Sequence, residues 1–221
     1  MATVHDTTMR PTKLELLADW LPTRTWYAAG PEAPRPVKAG GFRLDDPEGE
    51  VGVEFMAVTD GEGPDAVAYL VPMTYRGKPL DGAEHALIGT SEHGVLGTRW
   101  IYDGAHDPVL VAESYALLAG RAVPQHQSIS DAADPTVAAV LDAAARTEAA
   151  VEPAEAVDGA DHTDVRLRVP GTDAPLTLRF HRVLRPTADD AAALGRVTAE
   201  WSPAGAPETP ARGVYMTVRQ A

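Results

Sequence analysis

The sequence predicts an α+β fold: an antiparallel sheet with segregated helices over residues 1–150, then a second, smaller antiparallel sheet with a short helix over residues 151–221. Three observations carry this expectation. Between Asp65 and Leu118, Val67, Tyr69, Val71, Met73 and Tyr75 recur at every second position, the spacing of a strand with one buried face. The same stretch ends with helix punctuation: Asp107 as N-cap, Pro108 at the first helical position and Gly120 after the last apolar turn. Beyond residue 160 the period of two returns, with Val165, Leu167 and Val169 alternating with arginines, and Leu176, Leu178 and Phe180 alternating with Thr177, Arg179 and His181.

Taken in order, the chain opens on Thr12-Lys-Leu-Glu15, a capping box in which Thr12 bonds the third helical amide and Glu15 reaches back. Leu14, Leu17, Ala18 and Leu21 then share one helical face, and Pro22 ends it. Trp20, Trp26 and Tyr27 bracket that turn as core residues. After a Pro/Gly-rich loop, Phe42–Leu44 and Val51–Met56 read as strands leading through Asp60-Gly-Glu-Gly-Pro64 into the central strand, an antiparallel meander. Pro72 inside that strand marks an edge or a bulge. Gly89, Gly94 and Gly97 read as hairpin turns around a short strand at Thr98–Tyr102. Asp134-Pro135 repeats the cap signal and predicts an Ala-rich helix through Val137, Val140, Leu141 and Ala144. The acidic, Ala/Pro-rich run Glu148–Ala160 reads as a linker. Thr187–Leu194 is a short helix stopped by Gly195, and Val197–Trp201 and Gly213–Val218 are the last strands.

Composition narrows the function classes. With 221 residues, 44% of them hydrophobic, the chain can bury a core. The absence of cysteine excludes disulfides, thiolate zinc sites and thiol nucleophiles. No run of about 18 apolar residues exists to span a membrane, and the first ten residues lack an apolar signal core, so a soluble cytoplasmic protein is expected. The net charge is −13, and the stretch from Leu176 onward carries six Arg against four acids, which leaves −15 on the first 175 residues. Such a body repels phosphate backbones and argues against nucleic acid as a partner.

Chemistry is sparse. None of the seven histidines forms H-x-x-x-H or H-x-H, and His162 between Asp161 and Asp164 is an acidic loop rather than a metal centre. There is no G-x-S-x-G elbow, no Walker A sequence, and no HRD- or DFG-type loop.

Several segments in order carry a resemblance. Leu17-Ala-Asp-Trp-Leu-Pro22 with Trp26-Tyr27, then Ala68-Tyr-Leu-Val-Pro-Met-Thr-Tyr-Arg76, Ala86-Leu-Ile-Gly89, and Trp100-Ile-Tyr-Asp-Gly104 with Asp107-Pro108 resemble the N-terminal cap domain of actinobacterial maltokinases. Leu176-Thr-Leu-Arg-Phe-His-Arg-Val-Leu-Arg-Pro186 resembles the kinase-lobe strand that carries a nucleotide-contacting lysine, a position held here by Arg179. Gly213–Arg219 resembles the strand leading to the interlobe hinge. The resemblance implies a cap followed by a reduced kinase N-lobe, without the C-lobe that supplies the catalytic base and the metal-binding acids. Arg179 differs from lysine in reach and directionality, and Asp189, Asp190 or Glu200 would have to orient it.

Three functions follow as expectations. The first is a stand-alone, non-catalytic cap-type protein with a binding or regulatory part in maltose, trehalose or α-glucan (glycogen) metabolism, partnered by an enzyme of that pathway. It has no metal and no cofactor. The second is one half of a split ATP-dependent sugar kinase, in which ATP and Mg would bind and Arg179 would face the nucleotide. The third is a glycan- or small-molecule-binding module that stacks sugar rings on Trp20, Trp26, Tyr27, Tyr69, Tyr75, Trp100 and Tyr102.

Overall fold

The computed structural model describes all residues except 1–8, 29, 31, 62, 130–131, 171–174, 187–192 and 205–207, together with the side chain of residue 64. In chain order the described elements are β1 (Met9–Arg10), α1 (Lys13–Trp20), β2 (Val37–Leu44), β3 (Gly52–Asp60), β4 (Val67–Arg76), β5 (Leu87–His93), β6 (Gly97–Asp103), α2 (Pro108–Leu118), β7 (Gln125–His126) and β8 (Ala138–Leu141). Then come β9 (Glu152–Asp158), β10 (His162–Arg168), β11 (Leu176–His181), β12 (Val183–Leu184), β13 (Gly195–Trp201) and β14 (Ala211–Gln220). Among the described residues strand outweighs helix, 46% against 17%, so the fold is predominantly β, more sheet-rich than the expected α+β class. No described helix is long and apolar enough to cross a membrane.

Every strand pairing is antiparallel, and the strands form one hydrogen-bonded sheet rather than the two expected. Its path runs β1-β5-β6-β4-β3-β2-β13-β14-β11-β10-β9. The junction between the early and late strands is a single pairing of Gly40 with Trp201, supported by Ser202 N–H donating to Ala39 O at 2.7 Å. A second junction closes the path. The chain leaving β11 turns at Arg182 into β12, which pairs with β4 through Val183 opposite Tyr69 and Leu184 opposite Ala68. From β4 through β3, β2, β13, β14 and β11 to β12, the strands return to β4.

Because the ring encloses a core and α1 covers its outside, β3 and β4 are buried on both faces. One cluster takes Val53, Phe55 and Leu70 with α2 residues Leu110, Val111 and Tyr115, and with Leu178, Phe180, Val197 and Met216 from the late strands. The other takes Met56, Val58, Tyr69, Val71 and Met73 against Leu17, Trp20, Leu21 and Trp26. The central strand therefore does not have the one buried face its alternation predicts. Pro72 keeps its expected exemption. It pairs with Phe55 on one side, while on the other β12 covers residues 68–69 and β6 covers 73–76, so its missing N–H falls in the gap.

Two of the helix signals hold. Thr12 and Glu15 form the full capping box of α1. Asp107 caps α2 through Val109 N–H, Pro108 is its first residue, and Gly120, at φ +77°, ends it in the left-handed conformation. Three segments depart from expectation. Residues after Asp134-Pro135 form β8 and a short 3-10 turn, because the free edge of β13 recruits Ala138–Leu141. The expected linker contains β9, paired with β10. Gly89 is no turn: it lies in β5, where an added Cβ would press on Leu16 of α1. The expected helix Thr187–Leu194 falls largely outside the described residues, as do Asp189 and Asp190.

Candidate functional site

Arg179 sits on the outward phase of β11, whose Leu176, Leu178 and Phe180 point into the core. The register sets it opposite Asp164 of β10 and Thr217 of β14. Its Nε and Nη2 donate to the two oxygens of Asp164, each at 2.7 Å, a bidentate fork. His162 continues the network, with Nε2 3.6 Å from Asp164 and Nδ1 3.0 Å from Asp161, and Arg185 Nη1 donates to Asp161 at 2.8 Å. Burial pushes the Asp164 carboxyl up, but the bonds and charge of Arg179, with His162 and Arg219, outweigh it and hold it below the usual range. The Asp161 carboxyl is held down to about 2, first by the Arg185 bond and then by His162. The carboxylate that orients Arg179 is thus Asp164. Glu200, one of the expected candidates, lies instead 3.7 Å from Arg212.

Three residues further on, Arg182 has the opposite fate. It is completely buried, on the inward phase of the same alternation. Its Nη2 donates to both oxygens of buried Asp103, at 2.8 and 2.6 Å, and its Nε donates to Thr163 Oγ1 at 2.7 Å. The guanidinium lies 5.0 Å from the centre of the Trp26 ring. Its backbone is fixed as well: its N–H donates to Asp161 O at 2.8 Å and its carbonyl accepts from Leu70 N–H at 2.9 Å. Arg182 therefore ties β6, β10, β4 and the Trp26 turn at the point where the ring closes. Sequence reasoning passed over it, although Leu176, Leu178 and Phe180 put position 182 in the buried phase.

A third charged centre lies under α1. Glu54 of β3 is only 3% exposed. It accepts from Lys13 Nζ at 2.8 and 3.1 Å, from Gln127 Nε2 at 3.0 Å, and from the Tyr75 hydroxyl. Burial opposes its charge, yet Lys13, Tyr75 and Lys38 together hold its carboxyl below the ordinary value. Burial, then Glu54, pushes the Tyr75 hydroxyl well up. Gly41 is required here, because at φ +120° an added Cβ would overlap the Phe55 carbonyl and crowd Gln127.

Asp107 proves to be more than a cap: it also accepts from Thr74 Oγ1 at 2.7 Å and from Arg76 at 2.6 and 2.7 Å, fixing α2 to β4. Its neighbour His106 meets His85 ring to ring, with Nδ1 3.2 Å from Nε2. Among the described residues no group of three or more His, Asp or Glu could hold a metal ion. Most of the aromatics expected as a sugar platform are used inside, while Tyr75 and Trp100 are half-buried. Trp20, Trp26, Tyr69 and Tyr102 are buried, and half-buried Tyr27 donates its hydroxyl to Asp60 at 2.6 Å.

The architecture defines an antiparallel β protein with two capped helices, in which Asp164 closes the Arg179 fork, Asp103 and Thr163 hold Nη2 and Nε of Arg182, and the buried Nη1 of Arg182 has no hydrogen-bond partner among the described residues. The family model of the maltokinase N-terminal cap domain matches residues 20–107, from the Trp20 turn to the Asp107 cap. That segment, less than half of the chain, is similar to the cap domain that its ordered motifs resemble. A search of curated proteins finds no match.

Proposed function

We propose that this chain acts by binding, as a cap-type protein of maltose, trehalose and α-glucan metabolism in the cytoplasm, and transfers no phosphate itself. The observation that carries the reading is the closed fork at Arg179. In a phosphotransferase the cation at this position is turned to the nucleotide, whereas here Asp164 takes both hydrogen bonds of its fork. A nucleotide phosphate reaching Arg179 would have to displace Asp164. The cap-domain match over residues 20–107 supports the carbohydrate context, and an α-glucan enzyme is the partner class proposed with it. The division into a cap-type unit (1–150) and a reduced N-lobe unit (151–221) belongs to the same proposal.

The test uses the purified chain with Mg-ATP and maltose, glucosamine or glucose, following ADP release beside calorimetry. The expected result is neither ADP release nor heat of nucleotide binding. Turnover with any of the sugars overturns the proposal. Nucleotide binding without turnover replaces it with the split-kinase reading, in which another chain supplies the base and metal-binding acids.

A further inference from the structure

The chain's guanidinium forks differ in one respect. At Arg76 the Nε/Nη2 edge holds Asp107, and at Arg179 it holds Asp164. At Arg43 the same two nitrogens, Nε and Nη2, are shielded from solvent and have no hydrogen-bond partner among the described residues. This edge presents two parallel donors at the spacing of two oxygens on a carboxylate or phosphate. A buried donor without an acceptor is rare enough in folded proteins to need a reason.

The surroundings supply one. Arg43 stands opposite Glu54 in the β2–β3 register and opposite Gln125 in the β2–β7 register. Lys38 stands opposite Val58, and the bulge between Lys38 and Gly40 returns it to the face that carries Arg43. Lys13 reaches the same place from the first turn of α1, seated on Glu54. Lys38 is coupled electrostatically to Glu54, Lys13 and Arg43, and it is exposed, so it forms the rim. Three cations against one carboxylate leave a surplus of two positive charges in a chain whose overall charge is −13.

We propose that Arg43, Lys38 and Lys13 form a site for the phosphate monoester group of a small metabolite, with the Arg43 fork gripping two phosphate oxygens. A monoester carries about −1.5 to −2 at neutral pH, which matches the surplus, whereas a carboxylate neutralises half of it. Glu54 is the positioning residue that holds Lys13, and Gln127 braces Glu54 from the other side. The half-buried Arg43 side chain swings outward to seat the anion, and among the described residues no hydrogen bond at Nε or Nη2 resists that movement. The site is separate from Arg179 and does not depend on the pathway proposed above.

The test is calorimetric titration of the full chain with inorganic phosphate and methyl phosphate at fixed ionic strength, with acetate as the monovalent comparison. Phosphate and methyl phosphate are expected to bind, and acetate to bind at least about tenfold more weakly. Arg43→Gln is expected to weaken phosphate binding by about ten- to a hundredfold. Lys38→Gln, at an exposed position that leaves folding intact, is expected to weaken it several-fold, and Arg179→Gln to leave it unchanged. The proposal is overturned if phosphate gives no heat beyond an equal ionic strength of chloride. It is equally overturned if acetate binds as tightly as phosphate, if both Arg43→Gln and Lys38→Gln bind like the parent chain, or if Arg179→Gln is the variant that loses binding.

Discussion

Arg182→Met removes the cation at the ring closure while keeping a long apolar stem. Among the described residues the carboxylate of Asp103, 1% exposed, then keeps one hydrogen bond, from Ala105 N–H at 3.2 Å, and loses both bonds from Nη2. Thr163 keeps its bond to Asp158 at 2.5 Å, so the damage falls on the carboxylate. Leaving one partner of a buried pair unpaired costs about 3–5 kcal/mol. For a chain of 221 residues, unfolding entropy of about 2.1 cal/mol/K per residue makes each kcal/mol worth about 2 °C, so Tm should fall by about 7–11 °C. Differential scanning calorimetry reads this directly. The double variant Arg182→Met with Asp103→Asn removes both charges and keeps the oxygen that accepts from Ala105, so it should recover more than half of the loss. A single variant that melts within 2 °C of the parent, or a double variant no better than the single, would refute the claim that the pair clamps the closure.

Two further outcomes follow from the charged centres. Glu54 is held below its ordinary pKa of 4.5 in the folded chain, so its contribution to stability is present above the unfolded value and is lost as pH falls through the folded one. In Lys13→Met burial is no longer outweighed, the carboxyl rises, and the acid unfolding midpoint followed by circular dichroism should move to higher pH; a midpoint that stays put or moves lower contradicts this. At the sheet surface, Arg185→Gln removes the bond that contributes most to the depression of Asp161, so the carboxyl resonance of Asp161, expected to titrate at about 2 in the parent, should titrate closer to 3.8 in the variant. An unchanged midpoint would assign the shift to His162 instead.

Much of the cap segment was legible because its signals are local. The Thr12 box, the Asp107-Pro108 cap and the Gly120 stop each satisfy backbone groups within a few residues, so the sequence carries them whole. Two of the failures come from pairing with strands distant in the chain, and a third, at Glu152–Asp158, from a local hairpin whose composition gives no strand signal. Ala138–Leu141 has the composition of a helix, and only the edge of β13, more than fifty residues later, makes it a strand. Glu152–Asp158 has linker chemistry, and β10 draws it into the sheet. Burial of both faces of β3 and β4 was hidden, like β8, by distance along the chain. Alternation reports one core, whereas the second appears only when the late strands close over Phe55 and Leu70.

Arg179 in β11 and Arg182 just past its end show what periodicity could have decided. Arg179 and Arg182 differ by three positions, so in a period-two strand they must face opposite sides, and the apolar triplet Leu176, Leu178 and Phe180 says which. The outward one can be closed by a neighbour's carboxylate at the surface, as Asp164 does. The inward one carries a full charge into the core and needs a buried acid from another segment, and Asp103 of β6 is that acid. A buried charge pair is a poor source of stability in itself but a strict requirement on register. A slip of β11–β12 by one residue along β4 would turn Arg182 away from Asp103 and put Arg179 or His181 in its phase. The pair thus selects the one alignment in which the late strands close the ring, and this specificity explains why an arginine stands where the pattern calls for an apolar residue.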